Sequence, residues 1–336
     1  MTNPYPVLHL EHAWQLAYEW VCKRRRHYPA NADIWHLRFH WPALSRRLLE
    51  FVLVGRYRLS PMQVVGKHAI WSAQDAMVLK WVALQSAPWL PLHPRCEHGL
   101  GMGVKASKQR LHTFLTEAQG DYPFVMRTDI RGYYQHIDKE QVMARVVSLL
   151  PSPVWRELIR QYLYYSVEQG GEFHTPTTGI GRGCALSPLI GASLLYHIDA
   201  DFAGQPDLYY ARYMDDFIIL ARTRWRLRRA IATLRGHLAE GGFSLHPDKT
   251  RIGKLAKGVD WLGGWFNLRG LVGIAPRSLQ QYRTRSLRLY EQAIRQGHSE
   301  EECQARVRMY RRRWGSSATT AQGCFGAHRE SSSAGR

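Results

Sequence analysis

Apolar and polar positions along the chain change rhythm several times, and those changes mark its elements. The first fifty residues carry apolar positions at helical spacing, interrupted by the basic cluster Lys23-Arg24-Arg25-Arg26, and predict two helices. Residues 55–110 are richer in Gly, Pro and Trp. They predict irregular strands with one helix, Asp75–Ala87, capped by its aspartate and stopped by Pro88. From Asp121 the pattern sharpens. Tyr122–Asp129 predicts a strand, and Asp138-Lys139-Glu140-Gln141 opens a helix with an acidic cap and Gln three residues on. Ser187-Pro188 opens another, with a favoured cap and a first-turn proline.

The next stretch carries the most information. Leu208–Tyr213 and Phe217–Ala221 are apolar runs split by a short polar turn, which predicts a hairpin. Arg224–Glu240 predicts a basic amphipathic helix ended by Gly241-Gly242. A strand pair is expected near Ser244–Ile252 and Trp261–Phe266, then two basic helices, Pro276–Arg295 and Glu300–Trp314. Residues 315–336 lose all periodicity and fill with Ser, Gly and Ala, which predicts disorder, although truncation of a longer helical domain leaves the same trace. Interleaved strands and helices around a central hairpin give an α/β fold with helices packed on one face of a sheet.

Charge narrows the function classes. Among 336 residues, 46 Lys and Arg face 27 Asp and Glu, a formal charge of +19. Such an excess favours a polyanionic partner, because each neutralised phosphate releases counterions. Charge alone does not separate RNA, DNA and an acidic membrane. The apolar runs at Phe51-Val52-Leu53-Val54 and Leu189–Leu195 are too short to span a bilayer, so no membrane role is expected. Met1–Leu10 lacks the pattern of a signal peptide, and the 5 cysteines show no paired spacing; both point to a cytoplasmic protein. His93, Cys96 and His98 lack the second ligand pair that a structural zinc site needs.

The candidate chemistry is carboxylate chemistry. Asp215-Asp216 lies between apolar strands, where adjacent acids are costly unless cations compensate them. Taken alone, the tetrapeptide Tyr213-Met214-Asp215-Asp216 suits a solvated turn as well as a metal site. Asp129, ending its own apolar strand, poses the same question. Acids from two strands converging on one point could hold two divalent ions roughly 4 Å apart, the arrangement used in nucleotidyl transfer.

Several segments together resemble the reverse transcriptases. Tyr213-Met214-Asp215-Asp216 is similar to that family's signature turn, and Asp129 to Asp138 resembles its first catalytic motif. Gly181-Arg182-Gly183-Cys184-Ala185-Leu186-Ser187-Pro188 resembles the template- and nucleotide-contacting motif, with Arg182 where Gln is usual. His246-Pro247-Asp248-Lys249-Thr250 resembles the motif with a lysine near pyrophosphate, and Trp261-Leu262-Gly263-Gly264-Trp265 the primer grip.

The resemblance implies a right-hand polymerase. Its parts would be an N-terminal helical extension (1–54), fingers (55–120), a palm of antiparallel sheet plus helices (121–270, with finger elements in 140–180), a partial helical thumb (271–314) and a disordered tail (315–336). It also implies roles. Asp129, Asp215, Asp216 and the Ile130 carbonyl would hold two Mg2+ ions, with Mn2+ able to substitute. Tyr134 would exclude a ribose 2′-hydroxyl, with a core aromatic as its plainer reading. Gly181, Arg182 and Gly183 would contact the nucleotide and template, and Lys67 the triphosphate. Lys249 would protonate or neutralise the leaving pyrophosphate, with a surface lysine as the alternative. Trp261, Leu262, Gly263, Lys105 and Lys108 would contact nucleic acid.

The partners implied are an RNA template (a dedicated or structured RNA), a DNA primer and its product, and deoxynucleoside triphosphates. The closest resemblance is to bacterial enzymes of the group II intron-like and stand-alone, defence-associated kinds. The rival functions are a non-catalytic RNA-binding or maturase-like module, and a polymerase that makes RNA or extends DNA without a template.

Overall fold

The computed structural model describes residues 5–26, 32–65, 68–99 and 103–322. Helices α1 (Leu10–Arg24) and α2 (Ala32–Leu53) come first, then strands β1 (Met62–Val65) and β2 (His68–Ile70) and helix α3 (Ala73–Ser86). The last opens earlier than Asp75 because Ser72 is its cap, accepting from the Asp75 N–H at 3.0 Å. Asp75 is instead buried and accepts from the Tyr57 hydroxyl at 2.8 Å. Helix α4 (Val104–Glu117) follows, unforeseen because its buried stripe is narrow.

Next come β3 (Phe124–Asp129), α5 (Tyr133–His136), α6 (Lys139–Leu149) and α7 (Pro153–Leu163). Asp138 caps α6, accepting from the N–H groups of Glu140 and Gln141 at 2.8 and 3.0 Å. A short hairpin, β4 (Val167–Gln169) and β5 (Glu172–His174), leads to α8 (Leu186–Leu194) and α9 (Tyr196–Ala203). The central hairpin is β6 (Leu208–Tyr213) with β7 (Asp216–Ala221), followed by α10 (Arg224–Glu240). Then come β8 (Arg251–Lys254), β9 (Val259–Trp261), β10 (Gly264–Asn267), β11 (Gly270–Ile274), α11 (Pro276–Arg295) and α12 (Glu300–Gln322).

Three further elements differ from expectation. Strand β8 starts at Arg251 rather than Ser244, because Pro247 has no N–H to give a ladder and Pro247–Lys249 form a 3-10 turn. The expected second strand is a three-stranded sheet, β9 to β11. Helix α12 runs past Trp314 to Gln322; residues 323–336 of the expected tail lie outside the described residues.

The chain forms two compact units. The first comprises residues 1–100, 130–204 and 237–244. It holds a mixed sheet of order β2-β1-β4-β5, in which β1 and β4 run parallel. Helix α1 packs on α3: Trp14 meets Trp81 edge-on at 5.8 Å, and the Trp81 indole N–H donates to the Leu10 carbonyl at 3.2 Å.

The second unit comprises residues 101–129, 205–236 and 245–336. Its sheet has the order β6-β7-β3-β8 and is antiparallel throughout. Along β6 and β7 both faces are buried, which explains their unbroken apolar runs. Val125, Tyr209, Ile218 and Leu220 pack against Leu111 and Leu115 of α4 and against Trp261 and Phe266. No helix among the described residues is long and apolar enough to cross a membrane.

Candidate active site

Strand register brings two of the three acids together. Antiparallel pairing sets Asp129, the last residue of β3, directly opposite Asp216, the first of β7. Tyr213 pairs with Asp216, so Met214 and Asp215 form a two-residue turn. Positive φ falls on Met214 alone, at +57°, the pattern of a type II′ hairpin. A side chain there costs about 1–3 kcal/mol, strain that tends to be kept where a turn has a task. Fully buried Arg212 reaches from β6 to the turn, its Nη1 donating to the Met214 carbonyl at 2.9 Å.

Two cations serve these acids. The Lys249 ammonium pairs with Asp129, and the Arg127 guanidinium with Asp216. Arg127 lies two residues before Asp129 on the same face of β3, the diagonal neighbour of Asp216. The loop bearing Lys249 is tied to β3, since the His246 N–H donates to the Asp129 carbonyl at 2.7 Å and the Thr128 and Thr250 hydroxyls meet at 2.6 Å. Burial and then the charge of Asp129 push Asp215 up to about 6. Burial also pushes Asp216 up to about 6, against the lowering pull of Arg127.

These residues fit a hard divalent ion by chemistry. Carboxylate oxygens are the donors such ions prefer, and Asp129 Oδ1 is buried without a hydrogen-bond partner. Among the described residues no group of three or more potential ligands is already drawn into one shell. Lys249 and Arg127 hold two of the carboxylates instead. The raised Asp215 and Asp216 give a signed expectation. A carboxyl lifted above its unfolded value stabilises the fold at low pH, and that contribution is lost as pH rises through about 6. Thermal melts in EDTA should therefore fall between pH 4 and 7, and Mg2+ should raise Tm more at pH 7.5 than at pH 5. An equal gain at both pH values contradicts a metal response seated on these acids.

The remaining residues of the second unit are placed as follows. Trp261 is fully buried and its indole donates to Ser107 at 3.1 Å, so its side chain serves the core. The more open part of that hairpin is the Leu262-Gly263 turn, where φ of +50° and +81° gives the type I′ form. Lys105 is exposed on α4. Lys108 is half-buried, and a Cβ on Gly264 would come within 3.0 Å of its stem.

In the first unit, Tyr134 is half-buried beside Tyr133, at a ring separation of 5.3 Å. The Tyr133 hydroxyl donates to the Gly191 carbonyl at 2.7 Å, and a Cβ on Gly191 would meet the two rings at 3.1 and 3.4 Å. The Ile180 N–H donates to the Tyr134 carbonyl at 2.8 Å. Arg182 and Gly183 are exposed, and Gly183 is needed for its φ of +80° rather than for space. Gly181 and Ile130 are buried, and the Gly181 carbonyl accepts from Tyr162 at 2.8 Å. Lys67 lies outside the described residues.

Sequence reasoning missed Arg127, Arg212, Gly179 and Gly191. Gly179 has φ +76°, and a Cβ there would come within 2.7 Å of the Tyr134 carbonyl oxygen. Gly179→Ala is expected to cost about 2–4 kcal/mol in denaturant melts, from overpacking plus backbone strain. A loss under about 0.5 kcal/mol would mean that this loop yields freely.

The reverse transcriptase (RNA-dependent DNA polymerase) family model matches residues 94–266, just over half of the chain. No curated protein matches it. One similar solved structure is apo telomerase from Candida Tropicalis truncated from its C-terminal domain, with a TM-score of 0.41 and 13% identity. The match covers 60% of this chain and 44% of that one, so the chain spans less than half of that telomerase's length. With its two carboxylate strands inside the matched segment, the chain belongs to the reverse transcriptase family.

Proposed function

We propose that the protein is an RNA-directed DNA polymerase that adds deoxynucleotides to a primer 3′-hydroxyl on an RNA template. The observation that carries this reading is the register of β3 and β7, which sets Asp129 against Asp216 beside the Asp215 turn. Three acids gathered among apolar strands are expensive, and a scaffold has no use for them. Two Mg2+ ions, or Mn2+, held by Asp129, Asp215 and Asp216 would supply charge stabilisation to the attacking and leaving oxygens.

The chain's own residues do the rest. Lys249 keeps Asp129 compensated until a ligand arrives and is then free to neutralise or protonate pyrophosphate. Arg127 holds Asp216 in place from the neighbouring strand. The Tyr134 ring, beside Gly191, turns away a 2′-hydroxyl. Arg182, Gly181 and Gly183 serve the nucleotide and template, Lys67 the triphosphate, and Lys105, Lys108 and the Leu262-Gly263 turn the nucleic-acid backbone. Residues 55–120, 121–270 and 271–314 act as fingers, palm and thumb.

A supplied RNA in an intron-like element or in antiphage defence of a bacterial cell is the setting we favour. The +19 charge and the exposed arginines of α11 and α12 support a nucleic-acid partner. Primer extension on an RNA template with deoxynucleotides and Mg2+ or Mn2+ tests the reading. Template-dependent incorporation is expected. Retention of RNA without incorporation, under any primer or metal, replaces it with a non-catalytic RNA-binding function.

A further inference from the structure

In the first unit, α6, the junction of α8 with α9 and the last turn of α10 line a cleft of about 420 Å³. Its basic members are Arg145, His197 and His237, and Gln141, Phe243 and Glu240 also face it. Arg145 is half-buried, yet among the described residues no carboxylate pairs with it. Its one hydrogen bond, to the Leu194 carbonyl, is a long 3.5 Å. A guanidinium has five N–H donors, so most of this one is uncommitted.

The acids on this side of the cleft sit by His237. Asp201 accepts from or pairs with His237 Nε2 at 2.8 Å, and Glu240 lies 3.9 Å from the other ring nitrogen. His197 is held below the usual imidazole range, first by burial and then by His237 and Arg145, against the hydrogen bond to the Leu194 backbone and the charge of Asp199. Arg145 is thus the one permanent cation of a lining whose single carboxylate, Glu240, lies beside His237. A bare inorganic anion would leave most of this volume to water. The Phe243 ring and the Leu194-Leu195 wall suit an organic portion.

We propose that this cleft binds a phosphate monoester of mononucleotide size, with Arg145 forking onto the phosphoryl oxygens and His197 donating to a third. The planar fork matches phosphoryl geometry, and a dianion pairs with Arg145 and favours the imidazolium form of His197. The monoester can come from a free nucleotide or from the 5′-phosphorylated end of an oligonucleotide.

The test is titration of the full chain with adenosine 5′-monophosphate, without divalent metal, followed through the histidine ring resonances. His197→Gln identifies the His197 signal. The nucleotide is expected to move the His197 titration to higher pH, because a nearby dianion favours imidazolium, whereas adenosine should not. Arg145→Gln should weaken binding about ten- to a hundredfold, the range for losing hydrogen bonds to a charged group. Arg145→Lys, which keeps the charge, should lose less. A 5′-phosphorylated tetranucleotide binding more tightly than the mononucleotide assigns the cleft to nucleic-acid ends, and the reverse order assigns it to free nucleotides. An unmoved His197, or a folded Arg145→Gln variant that binds as tightly as the parent, overturns the proposal.

Discussion

Asp215→Asn is expected to abolish primer extension, by at least about a thousandfold, while raising the melting temperature of the metal-free protein. The two effects have one origin. Burial and the charge of Asp129 make ionised Asp215 unfavourable, and Asp216 adds to this. Asparagine removes that repulsion, which should stabilise the metal-free fold by about 1 kcal/mol after discounting for solvent screening. It also removes an oxygen donor where transition-state charge must be met, and several kcal/mol there amounts to three or more decades in rate. Primer extension and thermal melts on the same preparation read both. An acid with only a structural role would show the opposite pairing, with stability lost and any fall in activity following the unfolded fraction. If Asp215→Asn leaves extension intact, the polymerase site is not on this turn.

Tyr134→Val is expected to lower the preference for deoxynucleotides over ribonucleotides by about ten- to a hundredfold, with deoxynucleotide incorporation retained. Gly191 lies beside the Tyr133 and Tyr134 rings, and the Ile180 N–H bonds the Tyr134 backbone carbonyl. A rigid aromatic excludes a hydroxyl by bulk, so shortening the side chain should act on the ribonucleotide KM before the deoxynucleotide kcat. Tyr133→Phe is the control. It loses a buried hydrogen bond to Gly191, about 1 kcal/mol, and should leave sugar preference alone. If Tyr134→Val discriminates as the parent does, Tyr134 is a packing residue.

Much of this protein can be read along the chain. The hairpin is legible because two apolar runs flank a short segment with two adjacent acids, so the acids were visible as a pair. The α6 cap is legible because its donors lie two and three residues from Asp138. Helix α4 and the three-stranded β9–β11 sheet were not, because their apolar positions are few and make sense only against one another.

The compensation of the acids was beyond sequence reading altogether. Arg127 meets Asp216 across 89 residues through the register of β3 and β7, and Lys249 meets Asp129 across 120 through a loop hydrogen-bonded to β3. Trp261 shows the same limit in reverse. Its motif pointed to nucleic acid, and tertiary packing puts its indole in the core. Gly179 and Gly191 carry no local signal, since the need for a missing Cβ arises from a neighbour more than forty residues away. By itself the sequence determined the acidic turn and the family segments, whose causes are local. The tertiary structure alone decided which cations hold the acids and what stands beside Tyr134, because those forces act between residues that only folding brings together.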